Sequence, residues 1–184
     1  MIKIESKLTK ILKENLAFPE SKNLQQRGIA DKIESACNEI IKSNFDNVKP
    51  PRSRKSTEDI SIGDIYIDHK TSDESLNFKM PNMISVDKLK KLNKTVIYNF
   101  VIYNSEKQKI IDIFAISLYQ LNWDHLTIQN LGTGQLQIKN MKNFIKSPKT
   151  TMLKKEWQLR LKEEVITFYD KLIIKTKKRQ EEWQ

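Results

Sequence analysis

The chain has 184 residues, enough for a single domain over residues 1–184 with a sizeable core, and it carries 33 Lys and Arg against 23 Asp and Glu, a net charge of +10. That excess suits a polyanionic partner. One cysteine, Cys37, excludes an intramolecular disulfide, and no apolar run is long enough to span a membrane, so the expectation is a soluble, cytoplasmic protein with no membrane partner.

In chain order, Ile4, Leu8, Ile11, Leu12 and Leu16 recur at helical spacing and predict a helix over residues 2–16, amphipathic and glutamate-bearing rather than a signal peptide. A second helix runs through "IADKIESACNEIIKSNF", with Ile29, Ile33, Ala36, Cys37, Ile40 and Ile41 on one face. "KPPRSRK" breaks the periodicity, since two prolines and four cations have no place in a core. Residues 56–75, "STEDISIGDIYIDHKTSDES", read as two short strands joined at Gly63-Asp64. "SLNFKMPN" reads as an ordered loop and "MISVDKLKKLNK" as a short helix. "TVIYNFVIYN" is a buried strand, paired across "NSEKQ" with a second one, "KIIDIFAI". Ser117 is placed to cap a helical turn, "SLYQLNW". "LTIQNLGTGQLQIKN", with Gly132 and Gly134, reads as a loop feeding a strand near "QLQI". A long helix ends the chain, with Leu153, Trp157, Leu161, Val165, Phe168 and Leu172 as its apolar stripe. The order gives an α/β or α+β fold, a mixed sheet flanked by helices.

The hairpin carries the chemistry. A two-residue turn pairs Ile62 with Ile65, Ser61 with Tyr66, Ile60 with Ile67, and Asp59 with Asp68. Side chains alternate, so the four isoleucines share the core face while Asp59, Asp68 and Lys70 share the other. Asp59 and Asp68 then face each other at a non-hydrogen-bonded pair, with Cα atoms roughly 4.5 Å apart. Like charges there destabilise a sheet. A bound divalent cation accounts for them, and oxygen ligands suit Mg²⁺ or Mn²⁺. Lys70 on the same side can orient a water or stabilise charge on a phosphate.

Asp59, followed by Asp68-His69-Lys70 on the next strand, resembles the motif of the PD-(D/E)xK nuclease superfamily, with Glu58 where the family has proline. Within it the chain is similar to type II restriction endonucleases of the HincII and EcoRV kind. The similarity rests on "DHKT" followed by "MPNMIS", on "LTIQNLGTGQLQIKN", on "KKEWQLRLKEEV" and on "ADKIESACNEIIKSNF", all in the family's order over residues 28–180. It implies a restriction-endonuclease-like fold and Mg²⁺-dependent hydrolysis of double-stranded DNA that leaves 5′-phosphates and blunt ends. It also implies a homodimer, matching symmetric DNA sites, and a cognate DNA methyltransferase as functional companion. Asp59 and Asp68 would hold the metal, with the carbonyl of His69 as a further ligand. Lys70 would assist the attacking water, and Glu34 would reach the site from its helix.

The same resemblance places Thr71, Lys79 and Asn82 beside the DNA. Gln129, Asn130, Thr133, Gln135 and Gln137 offer amide and hydroxyl groups suited to adenine edges and backbone contacts. Lys139 to Lys155 holds six lysines and no acid, a phosphate-facing tract that includes Lys142 and Lys146. Two other readings share these residues: a structure-selective or repair nuclease of the same fold, and a basic DNA-binding module without catalysis.

Overall fold

The computed structural model describes residues 4–20, 25–51, 58–76, 82–129 and 134–183. The chain opens with helices α1 (Ile4–Asn15) and α2 (Gln26–Asn44). Three strands follow, β1 (Val48–Lys49), β2 (Ile60–Ile62) and β3 (Ile65–Asp73). Next come β4 (Asn82–Ser85), the short helix α3 (Val86–Lys90), β5 (Thr95–Asn104) and β6 (Lys109–Ser117). The last elements are β7 (Leu126–Gln129), β8 (Gln135–Ile138), α4 (Met141–Phe144) and α5 (Lys154–Glu181). Among the described residues, no helix is long and apolar enough to cross a membrane.

The chain divides into two compact units, residues 1–81 with 93–118, and residues 82–92 with 119–184. The first holds a five-stranded mixed sheet in the order β1-β2-β3-β5-β6. Its hairpin neighbours are antiparallel, whereas β3 and β5 run parallel, from Ile65 opposite Thr95 to Asp73 opposite Tyr103. Parallel pairing needs a long crossover, which the segment after β3 supplies. The stripes of α1 and α2 pack on one face of this sheet. Leu8, Leu12, Ile33, Cys37 and Ile41 meet Ile60, Ile67, Ile97 and Val101 there. β5 is buried on both faces, which explains its unbroken apolar run.

The second unit holds the antiparallel sheet β4-β8-β7, with α3, α4 and α5. It corrects the sequence reading in three places. "LTIQ" is a strand paired with "QLQI", not a loop. The start of "MISVDKLKKLNK" is strand β4, and the helix begins only at Val86, capped by Ser85, whose hydroxyl accepts from the Lys88 N–H. Leu153, expected on the apolar stripe, is the residue before α5 and 68% exposed, whereas Trp157 is fully buried. In the first unit Ser117 donates its hydroxyl hydrogen to Glu5 of α1.

Candidate active site

The hairpin forms as its sequence dictates. Gly63 takes the left-handed backbone, at φ +56°, that the tight turn requires. The ladder pairs Ile62 with Ile65, Ser61 with Tyr66 and Ile60 with Ile67. Ile60 and Ile67 are buried in the core, and Ile62 and Ile65 pack against it. The regular ladder stops there. Asp59, expected to pair with Asp68 as the next rung, instead sits at a bend. Its N–H donates to the Ile67 carbonyl at 2.9 Å, and its Oδ2 accepts from the His69 N–H at 2.6 Å. A side-chain carboxylate has replaced a ladder carbonyl. That satisfies the strand's donor and avoids two carboxylates held rigidly opposite each other.

The carboxyls still converge. Asp59 and Asp68 lie within hydrogen-bonding reach of each other. Lys70 Nζ lies 2.6 Å from Asp68 Oδ1, and the two side chains are only 15% and 10% exposed. Burial is the main force on Asp68. It pushes the carboxyl up to about 7, with Asp59 adding and Lys70 opposing. Glu34, on α2, is also pushed up to about 7, first by burial and then by the charge of Asp59, while Lys70 pulls it down. Its position therefore puts a third carboxyl in the field of the other two and of the lysine.

His69 faces the other way, as strand alternation requires. Its Nε2 lies 3.1 Å from Asn38 Oδ1 on α2, and its Nδ1 lies 2.9 Å from Asn99 Nδ2 on β5. Only a neutral ring with the proton on Nε2 satisfies both, since it donates to the Asn38 oxygen and accepts from the Asn99 amide. Burial holds the imidazole down near 4, which favours that neutral form. Both ring nitrogens are thus taken by Asn38 and Asn99 rather than by the carboxylates.

Among the described residues, no group of three or more His, Cys, Asp or Glu could by itself hold a metal ion. Asp59 and Asp68 make an open donor set of two carboxylates. Mg²⁺ is commonly bound this way, keeping several waters and completing its shell with substrate phosphate.

The remaining expected residues fall elsewhere. Thr71 follows Lys70 on β3 and is half-buried. Asn82 and Gln137 face each other across β4 and β8, and the Gln137 amide donates to Asn82 Oδ1. Gln129 and Gln135 are paired across β7 and β8, Gln129 exposed and Gln135 half-buried. Lys142 and Lys146 are exposed on and just beyond α4. Lys79, Asn130 and Thr133 lie outside the described residues.

The sequence reading missed three residues. Tyr98 lies opposite Asp68 in the parallel register, its ring 5.9 Å from Lys70 Nζ. Its buried hydroxyl has no partner among the described residues, and burial followed by the charge of Asp68 holds the phenol well above its ordinary range. Asn38 and Asn99 hold His69. Asn99 had a visible signal, being a polar residue in the middle of an apolar strand. Compared with known proteins, the chain matches no family model and no curated protein sequence.

Proposed function

We propose that the chain is a Mg²⁺-dependent endonuclease that cuts double-stranded DNA at a specific sequence, a type II restriction enzyme working as a homodimer. One observation carries this reading above the others. Asp68 and Lys70 stand side by side on β3, nearly buried, with the Asp59 carboxyl within hydrogen-bonding reach and Glu34 in their field. Buried carboxyls raised as Asp68 and Glu34 are, beside an ammonium, are a physical mark of functional sites. The net charge of +10 suits the polyanionic substrate.

In this reading Asp59 and Asp68, with the His69 carbonyl, would hold Mg²⁺, which Mn²⁺ could replace. When bound, the cation supplies Lewis-acid stabilisation of the phosphate and makes a water more acidic. Asp68 must be ionised for this, and Lys70, 2.6 Å away, favours that form. Lys70 also orients the attacking water and stabilises charge on the phosphate. Glu34, with its raised pKa, is suited to exchange a proton with water near neutral pH. Attack is in line on phosphorus, leaving 5′-phosphate and 3′-hydroxyl blunt ends. A methyltransferase of the same specificity would protect host DNA.

The test is incubation with Mg²⁺ and a defined plasmid, followed by sequencing of the fragment ends. Discrete bands with one shared end sequence are expected, and Ala at Asp59, Asp68 or Lys70 should abolish them. A smear without shared ends would favour a structure-selective nuclease. Binding that is alike in Ca²⁺ and Mg²⁺, with no cutting, would mean a DNA-binding module. A Lys70→Ala variant that cuts at near wild-type rate would refute the site assignment.

A further inference from the structure

The neighbourhood of His69 holds more polar groups than its packing needs. The buried ring lies on the same side of β3 as Ile67, which belongs to a core with Ile33, Cys37, Ile41, Ile97 and Val101. Its two nitrogens are taken by Asn38 from α2 and Asn99 from β5, at 3.1 Å and 2.9 Å. Asn99 is fully buried, and its amide also points at Cys37 Sγ, 3.9 Å away. Its Oδ1 has no hydrogen-bond partner among the described residues. An unmade bond on a buried acceptor costs stability, and apolar groups of the same shape serve a core as well. A network of this kind is best understood by the geometry it fixes.

That geometry is specific. Asn38 stands four residues after Glu34 on α2, on the same face and about 6 Å along the axis. His69 is the residue between Asp68 and Lys70, and its own N–H holds Asp59 Oδ2 at 2.6 Å. In the parallel register His69 lies directly opposite Asn99. One ring therefore ties the helix that carries Glu34 to the strand that carries Asp68 and Lys70, at the point where Asp59 is also held.

We propose that Asn38, His69 and Asn99 are positioning residues, a buried hydrogen-bonded bridge that sets the register of α2 against β3 and so brings Glu34 to the Asp59–Asp68–Lys70 cluster. The proposal rests on the nuclease reading for its kinetic consequence, but its structural consequence can be measured without cleavage. Of the ring's two bonds, the one to Asn99 fixes the ring within the sheet and the one to Asn38 crosses to α2, so a helix that slid along β3 would break it. Small displacements of a catalytic group are costly, about 100-fold in rate for 1 Å.

The test uses the full chain with Asn38→Leu, which keeps the volume and removes the acceptor, and Asn38→Asp, which keeps the accepting oxygen. Rates are measured well below the melting temperature of each variant. In Asn38→Leu, kcat is expected to fall about 10- to 100-fold with KM for DNA unchanged, and Asn38→Asp should restore most of it. A role confined to stability would move neither kcat nor its rescue. Wild-type turnover in Asn38→Leu, or an Asn38→Asp variant as slow as Asn38→Leu, would overturn the proposal. If the wild-type chain does not cut DNA, the nuclease reading fails while the bridge is still tested by crystal structures of wild type and Asn38→Leu. A displacement of Glu34 relative to Asp68 and Lys70 in the variant supports the bridge, and an unchanged position overturns it.

Discussion

Asp68 sits where an aspartate is costly, on a buried strand opposite a tyrosine, and the lysine two residues on offsets only part of that cost. The consequence shows in the dependence of stability on pH. Its carboxyl in the folded chain is raised to about 7, above its unfolded value. The folded state therefore holds the proton more tightly. The stabilisation is complete below the unfolded value near 4, declines as pH rises through 7, and is gone above. Glu34 acts in the same direction, through burial and Asp59. In metal-free buffer, wild type should lose stability between about pH 4 and pH 7 more steeply than Asp68→Asn, which has no proton to lose at that position. Urea midpoints at several pH values measure this. Equal slopes would mean that Asp68 is solvated and that the cluster does not form as described. If Mg²⁺ binds here it competes with the same proton, so the stabilisation it gives should grow with pH over that window.

At the level of elements, what could be read from the sequence depended on how local the governing interaction was. β5 was legible because Val, Ile, Tyr and Phe run through ten residues with both faces buried. The hairpin register followed from one two-residue turn. β4 was hidden because Met83, Val86 and Leu89 are spaced by three, so a four-residue strand running into a short helix mimics one helix. β7 is equally short and borders a glycine-containing segment. Tyr98 and Asn99 could not be placed at the site, because their positions opposite Asp68 and His69 depend on which strand pairs in parallel with β3, a non-local fact. Asp59 was placed in the right neighbourhood but not on the expected rung opposite Asp68, since its carboxylate accepts from the His69 N–H instead. Two glycines test the packing that followed. A Cβ on Gly63 meets nothing within 4 Å, so Gly63→Ala should cost only its left-handed backbone, about 1–2 kcal/mol. On Gly134, at φ +90°, a Cβ would lie 3.0 Å from Phe168 Cε1 and 3.4 Å from methyl groups of Val86 and Ile128. Gly134→Ala should therefore cost more, about 2–4 kcal/mol, by adding overpacking to strain. Urea unfolding of the two variants compares them, and equal losses would mean that Phe168 of α5 does not press on Gly134.

For the molecule as a whole, the proposed function predicts two kinds of DNA contact, from the charge of +10 and from the uncharged amides of the second sheet, that separate by experiment. Phosphate contacts position a protein, and base contacts specify the sequence. Lys142 and Lys146 are exposed cations in a tract without acids. Replacing either with Ala should weaken binding to cognate and random duplexes alike. It should also reduce the slope of log affinity against log salt by about one for each phosphate no longer neutralised. The amides should behave differently. Asn82 accepts a bond from the buried Gln137 amide, so Asn82→Ala also strands a donor and mixes a folding effect with any recognition effect. Gln135, half-buried at the start of β8, is the cleaner probe, because its side chain is not tied to Asn82. If it reads a base, Gln135→Ala should lower discrimination by about 1–3 kcal/mol while leaving random-duplex affinity and the salt slope unchanged. Titrations of both duplexes across salt concentrations distinguish the classes. Should Gln135→Ala lose affinity equally on cognate and random DNA, the β7–β8 hairpin is not the reading element, and specificity must arise elsewhere in the chain.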